Sequence, residues 1–308
     1  MGEWSPAFGR KVLFINPGYI LKTQIIPDLL EMEYEVYYTE EPRYAKSLLR
    51  QFPDSICFFD IDSGMTEDEY LHLILSIEQN PEFKNVLIGV ISRKTGTVQK
   101  NFLLNVKLAA GYLPRCNNRE EIRSAIAGVL ELNEVKGRRQ YVRVSIPHGA
   151  DAKFSFMTNS KQMSLPIKDI SSCGFACDAV GLDESHFTVN SVLQGKLILG
   201  QMILPCTAVL YALKPTNLSV TLVMLFASKG NSWNLKKNIK AYSAIQLQKV
   251  ATAICVRGGL DPTDYTRVPD EAEKVEALAD LEECTDDDFY ADDDNKSGLH
   301  YTDITAAH

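Results

Sequence analysis

Between Lys11 and Leu132 short apolar runs alternate with amphipathic stretches, and this alternation limits the possible folds more than any other feature of the chain. Lys11–Gly18 reads as a buried strand that ends in a Pro-Gly loop. Ile20–Met32 places Ile25, Ile26, Leu29 and Leu30 at helical spacing, with Pro27 as a defect. Tyr34–Thr39 is a second strand and Pro42–Gln51 a short helix. Ser55–Asp62 is a third strand, apolar until its two acids, and Glu67–Glu78 is helical. Asn85–Ser92, the helical Gln99–Lys107, the short strand Gly111–Pro114 and the amphipathic Arg119–Leu132 complete the series. Strands alternating with helices predict a doubly wound parallel sheet covered on both faces, with any site at the carboxyl ends of its strands.

After residue 133 the pattern changes. Lys136, Arg138, Arg139 and Arg143 around Gly137 form a compact basic stretch. Tyr141–Ile146, Ala152–Met157, Ser164–Ser171, Gly174–Ala179, Gly195–Leu204, Cys206–Leu213 and Val220–Ala227 then read as strands with no helix between them. Such a run predicts a closed antiparallel barrel, which leaves no exposed edge. Asn234–Cys255 reads as one long helix with Leu235, Ile239, Tyr242, Val250 and Ile254 on its apolar stripe, and with Lys236, Lys237 and Lys240 largely off it. The expected organisation is an α/β unit over 10–133, a basic arm over 134–143, a β-barrel with a C-terminal helix over 144–256, and an acidic, largely disordered tail over 257–308.

Charge supports this division. Residues 257–308 hold 16 acids and 4 bases, a net of −12, which leaves 24 acids and 28 bases, a net of +4, in the rest. General nucleic-acid binding is disfavoured, because the tail competes with phosphate for any basic patch. Two Asp triplets in Glu282–Asn295 lack the pattern of a calcium loop. The most apolar stretches, Lys196–Leu213 and Leu218–Ala227, are interrupted well short of the roughly 18 apolar residues a spanning helix needs. The N-terminus lacks a secretory pattern, and Gly2 and Ser5 match a myristoylation signal only weakly. Seven scattered cysteines read as reduced core residues of a cytoplasmic protein, and Cys173-x3-Cys177 has no second pair to complete a zinc site, so no metal is expected.

Two short motifs carry the functional signal. Arg139 to Arg143 is an RxxxR preceded by Arg138, and Asp169 to Gly174 is a DxSxxG. With 25 residues between Arg143 and Asp169, and with β-runs and a helix following, Gly137 to Leu247 resembles the PilZ domain, a bacterial receptor module for cyclic di-GMP. The resemblance implies a ligand site made by Arg138, Arg139, Arg143, Asp169, Ser171 and Gly174. Guanidinium forks match phosphate oxygens and the O6/N7 edge of guanine, and they stack on purines. A carboxylate at Asp169 accepts from guanine N1–H and N2–H₂. Ser171 is expected to donate to phosphate or guanine, and Gly174 to allow a tight turn beside the ligand.

The first unit resembles a response-regulator receiver. That family carries an acidic pair after strand one, a phosphoacceptor Asp after strand three, a Ser/Thr after strand four and a Lys after strand five. Here Asp60, or Asp62, follows strand three, Ser92 follows strand four, and Arg115 stands where Lys-Pro is usual, while Asn16-Pro17 replaces the acidic pair. Without that pair Mg²⁺ binding is expected to be weak, since the ion uses at least one or two carboxylates. The expected role is a vestigial phosphoacceptor pocket in a docking or dimerising pseudo-receiver. Taken together, the chain reads as a non-enzymatic cyclic di-GMP receptor that reorients its receiver-like domain and engages an unidentified protein partner through it. A nucleotide-independent scaffold and a phosphorylation-driven regulator are the alternatives. The five histidines (His72, His148, His186, His300 and His308) are dispersed, and no nucleophile–base pair stands out.

Overall fold

The apolar runs of the first unit form five strands, β1 (Lys11–Ile15), β2 (Val36–Thr39), β3 (Ser55–Asp60), β4 (Leu87–Ser92) and β5 (Gly111–Pro114). They lie parallel in the order β2-β1-β3-β4-β5. The computed structural model describes residues 9–115, 118–147, 149–158, 161–182, 184–215, 219–229 and 233–261. The acidic tail from residue 262 onward therefore lies outside the described residues. Between the strands run a π-helical turn (Leu21–Ile25) continuing into α1 (Ile26–Glu31), then α2 (Ala45–Gln51), α3 (Glu67–Glu78), α4 (Thr97–Asn105) and α5 (Arg119–Leu132). Alternate strand residues face opposite layers. Leu13, Ile15, Cys57 and Phe59 join Leu73, Ile74 and Ile77 of α3, and Val12, Phe14, Ile56 and Phe58 join Ile122, Ile126 and Leu130 of α5. Burial on both faces is why these strands read as continuous apolar runs. The connection reverses direction between β1 and β3, and that opens a crevice at their carboxyl ends.

The second sheet contains β6 (Arg143–Ser145), β7 (Ala152–Thr158), β8 (Lys161–Ser171), β9 (Gly174–Val180), β10 (Val192–Leu199), β11 (Met202–Pro215) and β12 (Ser219–Phe226). Six of these run β8-β7-β10-β11-β12-β9, and β9 pairs back to β8, which closes an antiparallel barrel. β6 lies beside the far end of β8. Inside, Phe154 stacks on Phe156 and meets Phe175 at a 60° tilt, with ring centroids 5.0 Å apart in both pairs.

Most strand ends shift by up to about three residues from the sequence expectation, and two places differ in kind. The runs Gly195–Leu204 and Cys206–Leu213 are not separated at Pro205; the chain turns at Gly200-Gln201, where Leu199 faces Met202. Gly200 has φ 61°, the conformation a two-residue hairpin loop demands at its first position. Pro205 is tolerated inside β11 because the pairing of that strand with β12 begins only at Ala208. The expected strand Tyr141–Ile146 shrinks to Arg143–Ser145, because the Val142 amide donates to the Glu33 carboxylate instead of to a strand neighbour.

The last helix, α6 (Trp233–Gly258), has 26 residues and is about 39 Å long at the usual rise. Its first half seals the barrel through Leu235, Ile239 and Tyr242. Its second half puts Leu247, Ala251 and Cys255 into the core of the parallel sheet. The helix expected to belong to the barrel therefore serves both layers. Gln248 Nε2 donates to the Tyr38 carbonyl (3.1 Å), Ser47 Oγ to the Gly259 carbonyl (3.0 Å), and Lys46 pairs with Asp261 at 2.7 Å.

Candidate functional site

The basic arm and the DxSxxG loop meet where β6 pairs with the end of β8. Arg143 lies opposite Ser171, and Ser145 opposite Asp169. Strict alternation along β8 from Leu165 and Ile167 would turn Asp169 into the barrel. A bulge between Ile167 and Asp169 prevents this. Ile167 and Ile170 both stay buried, so Lys168 and Asp169 both face outward. Arg143 Nε then stands 3.5 Å from Asp169 Oδ1, with the two side chains 48% and 20% exposed. They border a pocket of about 310 Å³ with Lys168 and Lys214 on its rim and Phe175 and Val223 among its walls. Arg143, Lys168 and Lys214 thus line the pocket together with Asp169, and Lys168 also stands 3.8 Å from Asp178 Oδ1, a mix that can hold an anion and accept from a polar donor edge.

The other motif residues take different positions. Ser171 is 2% exposed, and its hydroxyl donates to the Gly174 carbonyl at 3.1 Å. The same hydroxyl lies 3.2 Å from Cys173 Sγ, so in this structure its contacts hold the loop. Gly174 closes the β8–β9 turn opposite Ser171 and pairs with Leu225 of β12, where a Cβ would collide with the Met224 carbonyl oxygen, so it also permits barrel closure. Arg139 shares a narrow cleft with Arg143, Arg10, Glu33 and Glu35. Arg138 faces a neighbouring hollow beside Tyr34, over whose ring Lys136 sits at 4.7 Å from the centroid. The structure therefore gathers Arg143, Asp169, Ser171 and Gly174 at one pocket, with Arg139 adjacent and Arg138 apart.

Sequence reading missed Lys168, Lys214, Glu33 and Lys240. A signal for Lys168 existed, since the apolar spacing Leu165, Ile167, Ile170 breaks period two just there. Glu33 gave none, because its contacts lie more than one hundred residues away in the chain.

At the carboxyl ends of β3, β4 and β5 the side chains of Asp60, Asp62, Ser92 and Arg115 lie together. Asp60 ends β3 and is 2% exposed. It accepts from the Gly18 amide (2.8 Å), the Asp62 amide (3.2 Å) and Arg115 Nη1 (3.0 Å). Asp62 accepts from Ser92 Oγ (2.7 Å), from the Arg93 amide (3.0 Å) and from Arg115 Nη1 at 3.3 Å. The Arg115 guanidinium thus stands between two buried carboxylates, and Arg93 Nε donates to Asp62 from the other side at 3.1 Å. Burial pushes the Asp60 carboxyl above its ordinary range, and the Gly18 bond and Arg115 pull against that shift. A Cβ at Gly18 would come within 2.7 Å of Arg115 Nη1, so a larger residue there would have to displace the guanidinium. Asn16, with φ 54°, stands after β1 and donates to the Ser63 carbonyl (2.6 Å) and the Tyr70 hydroxyl (2.8 Å).

The chain thus has a five-stranded parallel sheet followed by a closed six-stranded antiparallel barrel. No family model matches it, and no curated protein does. Among solved structures, it is similar to the PilZ domain with c-di-GMP of YcgR from Escherichia coli, at 15% identity over 38% of this chain and 96% of that one, with a TM-score of 0.34. It is similar to the K. pneumonia MrkH-c-di-GMP complex at 18% identity over 41% of this chain and 57% of that one, with a TM-score of 0.33. A signal receiver domain from Clostridium thermocellum matches at 17% identity over 40% of this chain and 98% of that one, with a TM-score of 0.34. The chain spans only 50% of MrkH described as a c-di-GMP-dependent transcription regulatory factor. Among the described residues no helix is long and apolar enough to cross a membrane, no group of three metal-ligating side chains occurs, and Cys57, Cys173, Cys177, Cys206 and Cys255 are free thiols.

Proposed function

We propose that this protein is a non-enzymatic, cytoplasmic receptor for cyclic di-GMP. One observation carries the reading: Arg143 and Asp169, one from each motif, converge within 3.5 Å at the mouth of a cation-rimmed pocket. In this reading Asp169 accepts from a guanine edge while Arg143 and Arg139 fork onto phosphate or the guanine O6/N7 edge. Lys168 and Lys214 add point charges for the phosphates. Ser171 and Gly174 act indirectly by holding the loop that presents Asp169.

The arm runs directly from α5 into the pocket, and α6 is shared by both layers, so ligand capture at the arm is coupled to the receiver-like unit. That unit is proposed to engage a protein partner and not to use phosphoryl transfer, because Arg115 already occupies the space between Asp60 and Asp62. A calorimetric titration with cyclic di-GMP tests the receptor role. Binding is expected at roughly micromolar strength, about −8 kcal/mol. Arg143→Ala, Arg139→Ala and Asp169→Ala are each expected to weaken it by about 1–3 kcal/mol. Variants that titrate like the parent would refute the assignment.

A further inference from the structure

Glu33 ties together the parts from which the ligand site is built. It sits in the turn after α1 with φ 61°, an uncommon backbone for a residue with a Cβ. One carboxylate oxygen accepts from the Val142 amide at 2.9 Å, within the RxxxR arm and next to Arg143. The other accepts from Ser172 Oγ at 2.8 Å, within the DxSxxG loop. Lys240 Nζ of α6 lies 3.2 Å from that same oxygen, and the Glu33 side chain is only 14% exposed. Glu33 also lines the narrow cleft that holds Arg139 and Arg143. A backbone N–H, a hydroxyl and an ammonium converging on one anion form a donor set that would serve a phosphate oxygen equally well.

We infer that Glu33 is a built-in competitor for the anionic ligand: its carboxylate latches the arm and the loop in the free protein, and the ligand binds by displacing it. This rests on the cyclic di-GMP reading above and adds the regulation of that site. Binding then releases the arm from a residue of the receiver-like unit, so capture of the nucleotide and loosening of this contact are one event. The apparent affinity is lowered by the latched fraction of the free protein. If nine-tenths is latched, removing the latch tightens binding by about tenfold.

The test is a titration of the full chain and two variants with cyclic di-GMP, with hydrogen exchange at the Val142 amide measured without ligand. Glu33→Gly removes the carboxylate and suits the left-handed backbone, whereas Glu33→Gln keeps the acceptor oxygen and loses the charge. The expected result is binding about tenfold tighter for Glu33→Gly and less than that for Glu33→Gln, with faster Val142 exchange in Glu33→Gly. A parent that binds while Glu33→Gly binds equally or more weakly overturns the competition alone and reduces Glu33 to a structural contact. Binding by Glu33→Gly but not by the parent supports the latch in its strongest form. Failure of all three proteins to bind overturns the nucleotide reading and the competition with it.

Discussion

Replacing Arg115 by Met removes the cation between Asp60 and Asp62 and keeps most of the aliphatic volume. Both carboxylates are buried, 2% and 5% exposed, and Arg115 is itself only 10% exposed. Removing one partner of a buried ion pair costs about 3–5 kcal/mol, because a charge is left uncompensated. The low end applies here, since Asp60 keeps the Gly18 and Asp62 amides and Asp62 keeps Ser92, the Arg93 amide and the Arg93 guanidinium. A loss of about 3 kcal/mol near pH 7, with a denaturant slope of about 3 kcal/mol/M, lowers the urea midpoint by about 1 M. The loss also depends on pH. Burial holds the Asp60 pKa above 3.8 in the folded parent. A raised folded pKa contributes stability that is present below the unfolded value and lost as pH rises through the folded one. Without Arg115 the folded pKa climbs further, so the variant sheds its deficit as pH falls and the carboxyl takes up a proton. Equilibrium urea unfolding followed by circular dichroism near pH 7 and near pH 5 reads both effects. A midpoint shift below about 0.3 M near pH 7, or a deficit equally large near pH 5, would refute the reasoning.

Three further outcomes are expected. Ser171→Ala should destabilise the free protein by about 1 kcal/mol, because it strips a hydrogen bond from the buried loop; an unchanged melting temperature with weakened nucleotide binding would return Ser171 to direct ligand contact. Gly174→Ala should impair barrel closure by about 2 kcal/mol or more, since the added carbon meets backbone at Met224, and parental stability in thermal unfolding would contradict the observed β9–β12 approach. Mg²⁺ with acetyl phosphate should leave Asp60 unmodified by mass spectrometry, and stoichiometric modification would mean that Arg115 swings out of the crevice.

Much of the fold is legible in the chain because its signals are local. Continuous apolar strands between amphipathic helices require a sheet buried on both faces, and each of the five expected parallel strands is present. The two motifs meet in space, since Arg143 and Asp169 are drawn together by strands that the period-two pattern already announces. Asp60, Ser92 and Arg115 converge because they sit at the carboxyl ends of neighbouring parallel strands. What only the tertiary structure decides is where side chains go once backbone contacts between distant segments are set. The bulge that turns Asp169 outward depends on pairing with β9. Ser171 and Gly174 are spent on the loop and the neighbouring strand because those backbones approach so closely. Glu33 gains its place at the arm, and α6 its second attachment, only when the parallel sheet and the barrel are packed together. Such long-range contacts leave no periodicity in the chain, because their partners are set by packing between elements and not by spacing within one.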